Sequence, residues 1–157
     1  MASGLAATLG ALPLRTAAAR KRIVLGDASG LNAVSVFDHW IVRAESEVDI
    51  GARLREEMKR AAAEKRPICA SAARHSLGGQ SLPRDGLAIT FNIDRAEIDR
   101  SARSARVHAG TRWFEAIAHL DRLGFSPAVM QSNSDFGVAS TFSVNAHGWP
   151  APYGPFG

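Results

Sequence analysis

The residues with the clearest chemical potential lie in one short loop, residues 72–80. It reads Ala-Ala-Arg-His-Ser-Leu-Gly-Gly-Gln and follows an apolar run that starts at Pro67. Glycine adopts backbone angles closed to other residues, so Gly78 and Gly79 allow successive N–H groups to turn inward as a nest for phosphate oxygens. Neither Gly-x-Gly-x-x-Gly nor the Walker pattern occurs. The loop predicts an anion site, although a glycine-rich surface turn would have the same sequence.

A second polar segment covers residues 129–149, and the step Ala-Gly-Thr-Arg-Trp at 109–113 lies between the two. Together they resemble the flavin-binding half of the vanillyl-alcohol oxidase family, also called the para-cresol methylhydroxylase (PCMH) type. Members of that family carry GxRHSxGGQ, then AGxxW, then QSxxDFTVGGTLSVNAHG. All three motifs occur here in the same order, and the resemblance covers residues 40–157.

The resemblance implies that the cofactor is FAD. Backbone N–H groups of the first loop, with the Ser76 hydroxyl as a further donor, would surround the pyrophosphate, and the second loop would lie along the flavin ring and ribityl chain. The residues expected to contact FAD are Ala73, Arg74, His75, Ser76, Leu77, Gly78, Gly79, Gln80, Gln131, Ser132, Asp135, Gly137, Val138, Thr141, Ser143, Asn145 and His147. We expect no catalytic residue among them, because the base that acts on substrate lies in a separate domain in this family.

Two histidines have alternative roles. In some members with this motif, the histidine that corresponds to His75 carries a covalent bond to the flavin 8α-methyl group, and in others it holds FAD without one. His147 is expected either to approach the flavin or to pack as a polar residue at the end of a strand.

The chain departs from the family pattern in both loops. Ala72 and Ala73 stand where glycine is common, and the sequence Gly-Val-Ala-Ser at 137–140 replaces Thr-Val-Gly-Gly. A Cβ would strain a position that requires positive φ. The replacement of glycine by Ala139 and Ser140 is therefore expected to disturb close flavin contact there.

The implied function is that of a flavin-dependent oxidoreductase similar to the sugar-lactone and alcohol oxidases, which transfer a hydride from a C–H bond next to oxygen or nitrogen to flavin N5. A small alcohol or sugar would be the substrate of the full-length protein. We expect the present chain to be incomplete and inactive alone, since family members continue into further strands and a substrate domain. The alternatives are a non-catalytic flavoprotein remnant and a basic module that binds anions or nucleic acid.

Composition supports a single domain with a hydrophobic core, because the chain has 157 residues of which 46% are hydrophobic. The net charge is +4, but basic and acidic residues alternate, which argues against a nucleic-acid partner. Cys69 is the single cysteine, and the five histidines are scattered, so neither an internal disulfide nor a metal site is expected.

The N-terminal residues 1–35 are predicted to be a loose stretch, either an Ala-rich tail or the remnant of an export signal, and residues 36–157 a partial FAD-binding domain. Residues 2–14 are small and apolar, and residues 16–20 resemble a cleavage site, although no basic region precedes them. This pattern favours a periplasmic or exported protein, with a cytoplasmic one as the alternative. The sequence contains no run of eighteen apolar residues, so it predicts no membrane span.

The elements that position the loops follow an α+β pattern. A strand at 40–42, a helix capped by Ser46 and a strand at 68–72 predict a βαβ unit, with Ile50, Leu54 and Met58 on the buried face of the helix. Thr111 is expected to cap a second helix that ends at Gly124, with a buried stripe of Trp113, Ile117, Leu120 and Leu123. Further strands are predicted at 87–91, 105–109 and 126–130. The predicted architecture is a small βαβ-containing subdomain followed by the start of a second one.

Overall fold

The computed structural model describes residues 23–43, 45–146 and 148, which form seven strands and three helices. The strands are β1 (Ile23–Leu25), β2 (Val34–Val36), β3 (Asp38–Val42), β4 (Ile68–Ser71), β5 (Leu87–Phe91), β6 (Ala96–Asp99) and β7 (Ser104–Val107). The helices are α1 (Glu47–Ala63), α2 (Trp113–Asp121) and α3 (Val138–Ser143). The α+β class is therefore confirmed. None of these helices is long and apolar enough to cross a membrane.

The predicted βαβ unit is present as β3, α1 and β4, with β5 inserted between its two strands. Both β3 and β4 run parallel to β5, and Ile89 lies opposite Trp40 on one side and Ala70 on the other. Ile50 and Leu54 of α1 pack on the cluster that includes Trp40 and Ile89. This buried layer makes the sheet a rigid base for the loops that leave it.

The buried face of α1 differs from the prediction at its far end, where the Met58 residue is 54% exposed and Ala61 is buried. At about 100° per residue, Met58 lies about 80° around the helix from Ile50, whereas Ala61 lies only about 20° away. Four-residue spacing therefore drifts off the face after two turns.

The start of α1 is as predicted. Ser46 Oγ accepts a hydrogen bond from the Asp49 N–H (3.1 Å) and donates one to the Asp49 carboxylate (2.6 Å). The helix ends at Ala63, and strand β4 begins directly after Pro67.

The loose stretch that was expected up to about Ser35 is wrong for the described part of it. Strands β1 and β2 pair antiparallel there, and Val34 and Val36 are buried with Leu82 and Ala88. These valines pack on the face of β5 opposite α1, because Ala88 alternates with the α1-facing residues of that strand. Residues 1–22, which carry the predicted export signal, lie outside the described residues.

The second half of the chain differs from the prediction in three elements. The β7 strand pairs with β6, which was not predicted, in an antiparallel hairpin. Arg112 rather than Thr111 is the N-cap of α2, and its N–H donates to the Glu115 carboxylate (2.7 Å). The predicted strand at 126–130 is wrong, since these residues form no strand. Pro127 lacks the N–H that a paired strand needs.

Thr111 is instead a fully buried link between segments. Its hydroxyl lies 3.1 Å from the Ile93 carbonyl and 3.0 Å from the Arg95 carbonyl, and it accepts a bond from the Arg95 N–H (3.1 Å). The predicted apolar stripe of α2 is only partly buried. The buried residue of this helix is Ala116, and Leu123 is 37% exposed. Gly124 ends α2 as predicted, with φ of +75°.

Candidate cofactor site

The two polar loops singled out in the sequence meet at one cavity of about 420 Å³. The first loop contributes the segment from Ala72 to Ser76 together with Gln80, and the second contributes Phe136, Gly137, Ser140, Thr141, Ser143 and Val144. The first loop leaves the carboxyl end of β4, the edge of a parallel sheet where ligands bind in open α/β folds. The structure therefore brings together segments that are about sixty residues apart.

The start of the first loop is shaped by Arg74, which has a left-handed φ of +54°. Its carbonyl accepts hydrogen bonds from the N–H groups of Ala28 (3.0 Å) and Ser76 (2.9 Å). The guanidinium lies 3.4 Å from Thr90 Oγ1 on β5. A non-glycine residue with positive φ is uncommon, and here three contacts hold it in place.

The N–H groups of Ala73, Arg74 and His75 donate to no acceptor within residues 23–43, 45–146 and 148. These groups belong to consecutive residues that border the cavity, and the left-handed Arg74 turns the chain between them. Successive N–H groups around a left-handed residue are the geometry that holds phosphate oxygens.

The glycine pair further along the loop has a different environment. Gly78 and Gly79 both have positive φ, +72° and +83°, and their N–H groups point to the chain itself. Gly78 donates to Ser29 Oγ (3.0 Å), and Gly79 donates to the Asp27 carboxylate (2.6 Å). Neither glycine borders the cavity, and Leu77 between them and His75 is 65% exposed.

His75 belongs to an ionic chain with Asp135 and Arg112. His75 Nε2 lies 2.6 Å from one Asp135 oxygen, and Arg112 Nη1 lies 2.7 Å from the other. The hydrogen bond from His75, and after it the one from Arg112, holds the pKa of Asp135 below its usual value. The His75 ring also packs on Phe136, with ring centroids 4.7 Å apart. Its side chain is 24% exposed, and Nδ1 makes no hydrogen bond within the described part of the chain.

The second loop is fastened to the start of α2 by main-chain bonds. Trp113 donates to the Phe136 carbonyl (3.0 Å), Phe114 to the Ser134 carbonyl (2.8 Å), and Val138 to the Thr111 carbonyl (2.9 Å). The strain considered for Ala139 and Ser140 does not arise, because both lie in α3 with ordinary helical φ. The positive φ of this segment falls on Asn145 (+50°).

Gly137 is the point of closest approach between the loops. A Cβ placed on it would lie 2.6 Å from the Ala72 Cβ, far inside contact distance. The two departures from the family pattern, alanine at 72 and glycine at 137, are therefore complementary: the methyl group of one loop fills the space that the other leaves.

The remaining residues expected to contact FAD are less well placed for it. Thr141 Oγ1 bonds to the Val138 carbonyl and the Trp113 indole N–H, and Ser143 Oγ bonds to the Ala139 carbonyl. Gln131 is buried away from the cavity, with Oε1 unpaired among the described residues. Ser132 and Asn145 are exposed and do not border the cavity, and Val138 lines a separate apolar groove. His147 lies outside the described residues.

Three residues of the site were not assigned from the sequence: Asp27, Ser29 and Arg112. Arg112 falls inside the motif at 109–113, which pointed to its neighbourhood but not to its pairing with Asp135. Asp27 and Ser29 have the spacing of a short turn in which an Asp side chain accepts bonds from residues just ahead. No local pattern shows that their partners lie about fifty residues away.

Comparison with solved structures gives a similar fold in a protein described as a solvent-stable cholesterol oxidase, with a TM-score of 0.57 and 17% sequence identity. The match covers 81% of this chain but only 24% of that one, so the chain spans about a quarter of the length of the relative. A search of curated proteins found no match.

A family model described as an FAD binding domain matches residues 40–155, which is most of the chain and nearly the region over which the motifs resemble the PCMH type. The match includes both loops and everything between them. The chain therefore belongs to this family of FAD binding domains.

Proposed function

We propose that the chain binds FAD in the cavity between the two loops and forms the FAD-binding part of an oxidoreductase that acts on a small alcohol or sugar. The observation that supports this most is the row of N–H groups at Ala73, Arg74 and His75, which border the cavity without a protein acceptor in the described residues. A cavity of about 420 Å³ is in the range of small-molecule sites, roughly 300–1,000 Å³.

These N–H groups would hold the pyrophosphate, since several donors are needed to replace the water around two phosphates. The Ser76 hydroxyl is a poorer candidate than the family motif suggests. It lies 2.6 Å from the Asp27 carboxylate and 2.8 Å from Ser81 Oγ, and it accepts a bond from the Ser81 N–H. We therefore assign pyrophosphate binding to the backbone of the loop.

When bound, FAD accepts the hydride from the substrate C–H bond at N5. The side chains of this chain would position it: His75 and Phe136 form an aromatic wall of the cavity, and Ser140 lines the same cavity. Arg74 supplies positive charge at the cavity, which favours an anionic cofactor.

His75 is our candidate for a covalent bond to the flavin 8α-carbon: the 8α-methyl group would lose a proton, Nδ1 would bond to that carbon, and the flavin would be left reduced by the electron pair, to be reoxidised by O₂. Its Nε2 is engaged by ionised Asp135, so in the neutral ring Nε2 carries the proton and Nδ1 keeps the lone pair that a nucleophile needs. Flavin that stays with the protein after denaturation, with a matching increase in mass that His75→Ala abolishes, would support this bond. Complete release of flavin from the denatured wild type would contradict it.

FAD binding is tested by titrating the chain with FAD and following the quenching of flavin fluorescence. Ser143 is exposed at the edge of the cavity, so Ser143→Trp should fill part of the cavity, leave the core intact and weaken FAD binding. Ala118→Trp, on the exposed face of α2 away from the cavity, is the matched control and should bind FAD as the wild type does. A wild-type chain that does not bind FAD would overturn the proposal.

Turnover distinguishes an oxidoreductase from a flavoprotein that only holds its cofactor. The FAD-loaded protein would be assayed for reduction of a dye acceptor with a panel of alcohols, sugars and sugar lactones. Steady turnover with one of these classes supports the proposed reaction, and FAD binding without any turnover supports the non-catalytic alternative.

A further inference from the structure

Asp27, in the turn between β1 and β2, receives hydrogen bonds on both carboxylate oxygens. Ser29 donates to Oδ1 through its N–H (3.1 Å) and its hydroxyl (2.6 Å). Ser76 Oγ and the Gly79 N–H donate to Oδ2, each at 2.6 Å. Charge-assisted bonds of this length are strong, so the carboxylate is firmly seated.

The same short turn holds both ends of the first loop. At the far end, the Gly78 N–H donates to Ser29 Oγ and the Gly79 N–H to Asp27 Oδ2, so the glycine pair bonds to two oxygens of this turn. At the near end, the Ala28 N–H donates to the Arg74 carbonyl (3.0 Å), beside the left-handed Arg74 backbone. The conformation of the whole loop thus depends on residues 27–29.

We propose that Asp27 is a positioning residue for FAD: its carboxylate accepts hydrogen bonds from Gly79 and Ser76 and thereby holds the Ala73–His75 segment, whose N–H groups have no acceptor among the described residues, in place for the pyrophosphate. The N–H groups of Gly78 and Gly79 are therefore already bonded to oxygens of the chain itself, the Ser29 hydroxyl and the Asp27 carboxylate. This inference rests on the proposed function, because it concerns how the FAD site is shaped.

Charge repulsion also favours pyrophosphate binding at the Ala73–His75 segment rather than at Gly78 and Gly79. A pyrophosphate placed on the Gly78 and Gly79 N–H groups would have to displace the Asp27 carboxylate or lie beside it, and two like charges in contact repel. The N–H groups of Ala73 and His75 make no hydrogen bond to a carboxylate among the described residues. An internal anion also orders the loop before the cofactor arrives, which reduces the entropy lost on binding.

The test compares Asp27→Asn with Asp99→Asn. Asp99 is the matched control, because it accepts bonds from a following serine and backbone N–H groups in the same way, but in the β6–β7 turn and outside the cavity. We expect Asp27→Asn to weaken FAD binding by about tenfold or more and Asp99→Asn to leave it unchanged.

Riboflavin, which lacks the pyrophosphate, separates a positioning effect from a general loss of structure. Asp27→Asn should weaken FAD binding much more than riboflavin binding, whereas a merely destabilised fold would weaken both. In the chain without FAD, amide hydrogen exchange at Gly78 and Gly79 should be slow in the wild type and fast in Asp27→Asn. If that variant does not fold, Ser29→Ala removes the acceptor for Gly78 and one of the two Ser29 donors to Asp27 Oδ1, and should give a smaller change in the same direction.

Equal FAD affinity in wild type and Asp27→Asn would overturn this inference alone, and so would tighter binding by the variant, since the carboxylate would then compete with phosphate. An equal loss of FAD and riboflavin affinity would also overturn it. A wild-type chain that binds no FAD overturns the proposed function and this inference together.

Discussion

At the scale of single residues, the candidate site depends on carboxylates that the fold keeps ionised. Hydrogen bonds from Ser29 and Ser76 hold the pKa of Asp27 far below its usual value, and bonds from His75 and Arg112 lower that of Asp135. Because the folded-state pKa values lie below those of the unfolded chain, about 3.9, the stabilisation is complete above that pH. It is lost as the pH falls through the folded-state values.

We therefore expect the urea midpoint of unfolding to be nearly constant from pH 7 to about pH 5 and to fall at lower pH. Asp27→Asn should have a lower midpoint at pH 7 and a smaller further decrease between pH 5 and pH 2.5, because it has lost one of the groups that titrate. The measurement is urea denaturation at a series of pH values. An acid-dependent loss as large in the variant as in the wild type would show that Asp27 does not contribute.

The contact between Ala72 and Gly137 predicts a coupled pair of mutations. Gly137→Ala places a methyl group 2.6 Å from the Ala72 Cβ, and overpacking of this kind destabilises by about 1–3 kcal/mol. Ala72→Gly should relieve the clash, so the double variant should be more stable than Gly137→Ala alone. A double-mutant cycle from urea denaturation measures the coupling. Strictly additive effects would mean that the loops do not meet at this point.

The residues of the site were predictable where their signal is local. The motifs pointed to His75 and to the loop at 72–80, and the structure places that loop at a cavity with the second segment. The acceptors of Gly78 and Gly79 were not predictable, because a nest in the sequence does not show which anion fills it. Asp27 reaches Gly79 across 52 positions, and only the tertiary fold brings them together.

At the scale of elements, the end of α2 offers a prediction of backbone strain. Gly124 donates to the Asp121 carbonyl (2.9 Å), Phe125 donates to the Leu120 carbonyl (3.1 Å), and Gly124 has φ of +75°. This is a Schellman motif, in which glycine is favoured because a Cβ is unfavourable in the left-handed region. Among the described residues other than its chain neighbours, no atom lies within 4 Å of a Cβ built on Gly124, so the cost of adding one is conformational.

Gly124→Ala should therefore lower the free energy of unfolding by about 1 kcal/mol. Gly26→Ala is the control, because Gly26 also has open space around it but no positive φ, and it should change stability little. Chemical denaturation of both variants gives the comparison. Equal effects would indicate that the α2 terminus is not held in the left-handed conformation.

The elements predicted correctly have signals in adjacent residues. Ser46 with Asp49 begins α1, Gly124 ends α2, and the β-branched residues of β5 predict a central strand. β6 carries too many charged residues to be recognised alone, and it is a strand because β7 pairs with it. Residues 126–130 were predicted as a strand and do not form one, since an apolar run does not become a strand without a partner.

At the scale of the whole molecule, a second and larger depression shares no lining residue with the cofactor cavity. This apolar groove of about 910 Å³ lies between the β6–β7 hairpin, α2 and α3. Its lining includes Trp113, Leu120, Phe125, Val129 and Phe142. The Phe142 residue is 61% exposed. Large apolar surface of this kind marks a site of protein association or an aggregation risk.

The groove leads us to expect that the chain self-associates as its concentration increases and binds an apolar dye while folded. Phe142→Ser should reduce both effects, because it removes an exposed aromatic side chain from the groove. Phe114→Ser is the matched control, since Phe114 is 45% exposed on α2 but does not line the groove. Sedimentation velocity over a range of concentrations and dye fluorescence measure the two effects. If both serine variants associate to the same extent, general surface hydrophobicity rather than the groove drives the association, whereas a difference between them assigns it to the groove.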